Sequence, residues 1–175
     1  MADKFQFYSG SKDAKPGSGV GEHVNNPNDY LELAKFPHWR RMLSSLYDQI
    51  NFVYHDYTYR SFEHAFQSEK FRINGYTDLA YRFTLESNDE IGRGSGLTAR
   101  SNRKLRMLSD QELQRWNEQR HQIKIEIYKA KFSLEPLKSI LLATGPAVLY
   151  HSGPRIPKIR CVSTEVARDW LRDNQ

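Results

Sequence analysis

The chain has 175 residues, of which 38% are hydrophobic and 27% charged, a composition that excludes a disordered protein and predicts one domain over residues 1–175. The net charge of +5 favours a polyanionic partner, although many proteins without such a partner are equally basic. Because the chain has a single cysteine, no apolar stretch long enough for a membrane span and no secretory signal, we expect a reducing cytoplasmic or nuclear location.

The first third of the chain is predicted to combine short elements with one long loop. Alternating side chains in "KFQFY" predict a strand at residues 4–8. Residues 9–29 are rich in Gly, Pro, Asn and Ser and predict a loop, and a loop of this length is functional or disordered. Helical spacing follows with an interruption at Pro37, so we expect two short helical segments. The next stretch predicts a hairpin around His55 and Asp56.

The middle third is predicted to be helical. Ser61 is a suitable N-cap for a helix from Phe62 to about Ile73. A second helix is expected to begin at a cap formed by Thr77 or Asp78. Residues 88–108 predict a Gly-rich turn that continues as a basic segment.

The last third contains the clearest helix signal in the chain. Ser109 and Glu112 have the spacing of a capping box before a long amphipathic stretch. "LEPLKSILLATG" predicts a helix that ends at Gly145, "AVLYHSG" a short strand, and "STEVARDWLRDN" a terminal helix capped by one of its first two residues. The expected fold is therefore mainly α with a few short β-strands, an α+β domain.

The stretch "YRSFEHAFQSEKF" places polar residues among aromatic rings on one predicted helix. On a helical wheel, Glu63, Gln67 and Lys70 form a stripe beside the apolar stripe of Phe62 and Phe66. The helix dipole favours an ionised Glu63, and apolar surroundings favour a neutral, nucleophilic Lys70. The wheel also allows a partly exposed helix on which Glu63 and Lys70 have surface partners.

A series of motifs across almost the whole chain resembles the NADAR (YbiA-like) superfamily. The motifs are "FYS", "PGSGVGE", "WRRMLSSL", "YRSFEHAFQSEKF", "GRGSGLTARSNRK", "AKF", "LLATG" and "LYHSGPR". The resemblance implies a mainly helical fold and N-glycosidase activity without a cofactor. The histidines show no ligand spacing, so we expect no metal.

Two branches of the superfamily differ in substrate, and the motifs are more similar to one of them. The Gly-rich insert and "LYHSGPR" resemble the branch that removes ADP-ribose from guanine in DNA or RNA, which implies ADP-ribosylated guanine as partner and a DNA ADP-ribosyltransferase as functional counterpart. The branch that acts on ribosylamino-pyrimidines of riboflavin biosynthesis carries a Trp-Gly pair that is absent here. Relatives often have Lys where this chain has Ser18, which leaves a non-catalytic ADP-ribose or nucleic-acid binding module as a third alternative.

The resemblance places the catalytic Glu and Lys of the superfamily at Glu63 and Lys70. We expect Glu63 to bind ribose hydroxyls or move a proton, and Lys70 to attack C1′ of the ring-opened ribose; direct attack by water is the alternative. The candidates for substrate binding come from the same motifs and from a basic run that could follow a phosphate backbone. They are Tyr8, Ser9, Gly19, Gly21, Glu22, His64, Gln67, Arg103, Trp116 and Arg155.

Two of these candidate groups have an equally ordinary explanation. The glycines of "GSGVG" and "GRGSG" could present backbone N–H groups to a diphosphate, or they could lie in plain flexible loops. Trp116 could stack on a nucleobase, or it could pack in the core, because its helical spacing matches apolar neighbours.

Overall fold

The computed structural model describes residues 1–175 and has an α+β fold, 46% helix and 13% strand, which confirms the predicted fold class. The helices are α1 (Leu31–Ala34), α2 (Trp39–Leu43), α3 (Phe62–Arg72), α4 (Thr77–Tyr81), α5 (Glu90–Arg93), α6 (Gly96–Ser101), α7 (Asp110–Lys131), α8 (Leu137–Ala143) and α9 (Val162–Asp173). The strands are β1 (Lys4–Phe7), β2 (Phe52–Tyr54), β3 (Tyr57–Tyr59), β4 (Val148–Gly153) and β5 (Ile156–Arg160).

The chain divides into two compact units. The first unit comprises Met1–Ser44 and Phe132–Gln175, and the second comprises Ser45–Lys131. The expectation of one domain over residues 1–175 stays a prediction.

The first unit is built on a mixed three-stranded sheet in the order β1-β4-β5, in which β1 runs parallel and β5 antiparallel to β4. Phe5 on β1 is fully buried, and the rings of Tyr30 and Trp39 meet it edge-on at 4.9 and 5.2 Å between ring centres. Edge-on aromatic packing adds to the stability that burial of apolar area provides. The end of β1 is thereby held in a fixed position beside the long loop that follows it.

The second unit is arranged around α3, which packs against α4, α6, α7 and β3. The β2–β3 hairpin turns at His55 and Asp56, whose φ angles of 45° and 73° are left-handed, as two-residue hairpin turns require. A core cluster of apolar residues beside α3 includes Phe71 and Phe83. Because α3 is surrounded, its polar side chains must find partners inside the unit.

Several element boundaries predicted from local signals are confirmed. Ser61 caps α3, since its Oγ accepts a hydrogen bond from His64 N at 3.2 Å. Ser109 and Glu112 form the expected capping box of α7, with bonds of 2.9 and 3.2 Å. Gly145 follows α8 with φ 56°.

Two helix caps were predicted wrongly. Helix α4 follows Tyr76 without a side-chain cap, so Thr77 and Asp78 lie inside its first turn. Helix α9 likewise follows Cys161 without a side-chain cap. Ser163 and Thr164, the expected caps of α9, are buried inside the helix.

Three elements were missed by the sequence patterns. Helices α5 and α6 occupy the predicted Gly-rich turn and basic segment, capped by Asp89 and Ser95. Strand β5 is exposed at almost every position, so it lacks the alternation that marks a half-buried strand. Its Pro157 is compatible with its place at the edge of the sheet.

Candidate active site

Helix α3 is buried on almost every side, and the predicted site residues Glu63 and Gln67 hydrogen-bond to each other. Glu63 is 9% exposed and Gln67 is 5% exposed. Gln67 Nε2 donates to Glu63 Oε1 over 2.9 Å, whereas Gln67 Oε1 is buried without a donor. The alternative of a surface partner for Glu63 is therefore excluded, because its partner lies on its own helix in the interior.

Lys70 lies one turn beyond Gln67 on α3 and is half-buried. Its Nζ donates to the backbone carbonyl of Arg103 and lies 4.9 Å from the ring centre of Phe71. Burial lowers the pKa of Lys70 to about 8, the charge of Glu63 opposes this shift, and the charge of Arg103 adds to it. More of this amine is therefore neutral and nucleophilic near neutral pH than in an exposed lysine.

Aromatic rings pack beside the polar stripe of α3. Phe66 stacks on Phe62 with 5.3 Å between ring centres, and Trp116 of α7 lies 4.8 Å from Phe66. Trp116 is only 4% exposed. Of the two explanations that the sequence left open for Trp116, the structure favours packing in the core.

His64 points into the fold and has no exposed surface. Its Nε2 lies 2.9 Å from the carbonyl oxygen of Ile91 and its Nδ1 lies 2.7 Å from Ser61 Oγ. Burial lowers the pKa of His64 to about 4, so a neutral ring donates from Nε2 to the carbonyl and accepts at Nδ1. The expectation that His64 binds substrate is corrected: its ring ties α3 to α5.

The basic segment that begins in the last turn of α6 is exposed. It contains Arg100, Arg103, Lys104 and Arg106. The carbonyl of Arg103 accepts the bond from Lys70, while its Nη1 donates to the carbonyl of Arg100 at 3.2 Å. The segment therefore presents cations to solvent and is tied to the helix of Glu63. Contact between Arg103 and a phosphate stays a prediction.

The glycines of "GRGSG" serve close packing of backbone segments. A Cβ added to Gly92 would lie 2.0 Å from the carbonyl oxygen of Thr84, and one added to Gly96 would lie 2.2 Å from that of Leu46. The amide of Gly96 donates to Asp48 Oδ2 at 2.9 Å. Only glycine fits such approaches, and the amide of Gly96 is already bonded within the unit.

In the first unit, the Gly-rich loop is organised by its own Glu22. The Glu22 side chain has no exposed surface, and that of Arg40 is 5% exposed. Glu22 accepts hydrogen bonds from the amides of Gly17, Gly19 and Gln6, each at 3.1 Å, and from Arg40 Nε and Nη2 at 2.9 and 2.7 Å. Two of the amides expected to hold a diphosphate, those of Gly17 and Gly19, therefore bind this carboxylate, and Glu22 organises the loop from within.

Arg40 is a structural partner that local patterns did not reveal. Its other N–H groups donate to the carbonyls of Ala14 and Lys15 at 2.8 and 3.1 Å, so residues 14–22 are held from both ends. Arg40 and Glu22 are 18 positions apart in the chain. No helical or strand spacing connects such a pair, which is why only the folded chain identifies it.

A cavity of about 630 Å³ lies beside this loop in the first unit, within the size range of small-molecule sites. Tyr8, Ser18 and Gly19 line it together with Lys12, an exposed cation. A Cβ added to Gly153 would lie 2.7 Å from the Tyr8 ring, so the strand packs directly on that ring. The predicted substrate contacts of Tyr8 and Gly19 stay predictions, now with a cavity beside them.

The remaining predicted contacts lie in the same unit. Ser9 is exposed. Gly21 has φ 74°, and a Cβ there would lie 2.4 Å from Gln6 Nε2, so its conformation demands glycine. Arg155 is exposed in the β4–β5 turn with φ 60°. Substrate binding by these three residues stays a prediction.

Comparison with known proteins adds no family assignment. No family model matches the chain, and a search of curated proteins finds no significant match. The resemblance to the NADAR superfamily therefore depends on the motifs in the sequence. No group of three or more His, Cys, Asp or Glu side chains is arranged to hold a metal ion, and no helix is long and apolar enough to span a membrane.

Proposed function

We propose that this protein is an N-glycosidase that removes ADP-ribose from guanine bases of DNA or RNA. In this reaction the bond between the ribose C1 and a guanine nitrogen breaks, the nitrogen takes a proton, and water supplies the hydroxyl group at C1. The substrate class comes from the resemblance to the NADAR superfamily. The observation that carries the chemistry is the buried Glu63 with a lysine of lowered pKa on the same helix.

Cleavage of an N-glycosidic bond develops positive charge on the ribose, which a buried carboxylate stabilises strongly because little water screens it. Glu63 has this environment, being 9% exposed. Other glycosidases use two carboxylates across the bond. The polar stripe of α3 offers one carboxylate and one amine instead, which supports a different division of roles.

In the proposed mechanism, Lys70 is the nucleophile. The neutral amine leaves the carbonyl of Arg103, attacks C1 of the ring-opened ribose and expels the base as an amine that takes one proton. The resulting imine is hydrolysed by water, which returns Lys70 and releases ADP-ribose. Glu63 binds the ribose hydroxyls or moves the proton.

The first experiment measures release of ADP-ribose from an oligonucleotide that carries ADP-ribosylated guanine. We expect the wild-type protein to release it and Glu63→Ala to lose about a hundredfold or more in rate. Glu118→Ala is the matched control, because Glu118 is exposed on α7, and it should retain full activity. Absence of release by the wild-type protein would overturn the proposal.

The same preparation separates the two alternatives. Turnover of a phosphorylated ribosylamino-pyrimidine, without release of ADP-ribose, would assign the protein to riboflavin metabolism. Tight binding of ADP-ribose without turnover of either substrate would make it a binding module. Ser18, where a lysine is common in relatives, lines the cavity of the first unit and gives the binding module its specific basis.

A borohydride trap tests the covalent route. Reduction during turnover should fix the sugar on Lys70, with a yield that rises with pH around a midpoint near 8, because burial lowers the pKa of this amine. Lys35→Ala, which removes an exposed lysine of the first unit, should leave the adduct unchanged. An adduct that persists in Lys70→Ala, or no adduct during turnover, would instead support direct attack by water.

A further inference from the structure

Gln67 has an unusual hydrogen-bond arrangement for a buried side chain. Its Nε2 donates to Glu63 Oε1 at 2.9 Å, but its Oε1 is buried and accepts nothing. Exchanging the oxygen and nitrogen of this amide would bring its oxygen against the carboxylate oxygen, which is repulsive. The orientation of the amide is therefore set by Glu63.

An unpaired buried oxygen destabilises the fold, since it loses its bonds to water and gains none. An apolar side chain of similar length, such as methionine, would fill the same space without that loss. The carbonyl end of Gln67 therefore contributes nothing to packing that methionine would not. Only the donating end of the amide accounts for a glutamine at this position.

From this geometry we propose that Gln67 is a positioning residue that holds the Glu63 carboxylate in one orientation. The hydrogen bond engages Oε1 and leaves Glu63 Oε2 without a donor from the protein, so Oε2 remains for the substrate. This inference rests on the proposed function and reassigns Gln67, which the resemblance placed among the residues that contact substrate.

Cations lie on α3, after α6 and on α7, which are the helix of this pair and two elements that contact it. Lys70 lies on α3 itself, and its interaction with Glu63 is electrostatic. Arg103 follows α6, and Lys124 of α7 lies 5.4 Å from the ring centre of Phe66. Strand β3 carries no charge, and Asp78, the charged residue of α4, is exposed. These groups remain in every variant at position 67, so differences between variants report the residue at that position.

The test is the turnover and stability of Gln67→Met and Gln67→Glu. In Gln67→Met the donor to Glu63 is lost while the length of the side chain is kept, so kcat should fall by about tenfold or more with little change in KM, because the carboxylate is no longer held in one orientation. The same variant should be at least as stable to urea as the wild-type protein, since the unpaired buried oxygen is gone. In Gln67→Glu an acceptor replaces the donor, so kcat should fall at least as far.

The chain contains a matched control for this experiment. Gln114 Nε2 donates to Glu118 Oε1 at 3.1 Å with the same four-residue spacing, but this pair is exposed on α7. Gln114→Met removes the same kind of donor from an exposed pair, so kcat and KM should stay as in the wild-type protein. If Gln67→Met leaves kcat unchanged, or lowers activity only as far as it lowers stability, Gln67 is only structural and the proposal is overturned.

A second measurement separates this inference from the proposed function. A crystal structure of Gln67→Met needs no substrate. The Glu63 carboxylate should take a different orientation, or more than one, compared with the wild-type protein. An unchanged orientation overturns the inference even if the enzyme is active, whereas a changed orientation with an inactive wild-type protein contradicts the proposed function alone. If Gln67→Glu does not fold, Gln67→Met decides both measurements.

Discussion

Neighbouring polar residues of α3 differ in whether their side-chain atoms are all paired inside the fold. Glu63 has a second carboxylate oxygen without a protein donor. His64, the next residue, uses both ring nitrogens inside the fold. Both were expected to be site residues, Glu63 from the helical wheel and the motif and His64 from the motif alone, and neither source records burial. Which residue is available to a ligand depends on Ser61 and Ile91, and Ile91 lies on another helix.

The environment of His64 predicts an acid-sensitive fold. Its folded pKa is lowered by burial from 6.5 to about 4, so protonation favours the unfolded chain. The stability that this neutral ring contributes is present above pH 6.5 and is lost as the pH falls towards 4, by about 3 kcal/mol. Urea unfolding between pH 7 and 4 should show a smaller decrease in His64→Gln than in the wild-type protein.

The exposed histidine His121 provides the control for that measurement. Carboxyl groups also titrate in this pH range, so the informative quantity is the difference between each variant and the wild-type protein. His121→Gln should reproduce the wild-type pH dependence. An equally steep decrease in His64→Gln would show that the buried ring is not responsible.

At the scale of elements, the loop of residues 14–22 differs most from its prediction. Its composition indicated a flexible or ligand-binding loop, yet Arg40 and Glu22 hold it through buried, charge-assisted hydrogen bonds. The glycines are needed because the backbone turns closely around one carboxylate. The loop was predicted over residues 9–29, of which Pro27–Tyr30 form a short 3-10 helix, and its order depends on a residue of α2 that local composition does not reveal.

Removing Arg40 should release this loop. In Arg40→Gln the buried carboxylate of Glu22 loses its ionic partner, which we expect to cost about 3 kcal/mol or more of unfolding free energy. Cleavage after Glu22 by a glutamate-specific protease should also become faster than in the wild-type protein, because local opening exposes the backbone. Urea unfolding and timed proteolysis measure the two effects.

Arg82 provides a comparison at an exposed ion pair. Arg82 and Asp89 are 43% and 24% exposed and lie 2.9 Å apart, so Arg82→Gln should cost about 1 kcal/mol or less and leave cleavage after Glu22 unchanged. Equal effects of the two substitutions would mean that the buried pair does not hold the loop.

At the scale of the whole molecule, a buried lysine should make stability depend on pH on the alkaline side. Lys131, at the end of α7, is fully buried, and burial lowers its pKa from 10.5 to about 7. Between these values the unfolded chain binds the proton more readily, so the free energy of unfolding should rise from pH 7 towards pH 9.5. The rise should be smaller in Lys131→Met.

Lys104→Met is the matched control for this prediction, because Lys104 is exposed. This variant should show the same pH dependence of stability as the wild-type protein. Lys70 titrates in the same direction, since burial lowers its pKa to about 8, so some rise should remain in Lys131→Met. An unchanged rise in Lys131→Met would assign the whole effect to other groups.

The amino-acid order alone identified the fold class, most elements and the polar stripe of α3. Those features depend on residues within about four positions of one another, such as Ser61 with His64 or Ser109 with Glu112. Tertiary structure decided which polar groups are paired: Glu22 with Arg40, His64 with Ile91, and Lys70 with Arg103. Burial and hydrogen bonding between distant segments depend on the path of the folded chain, and local periodicity carries no record of that path.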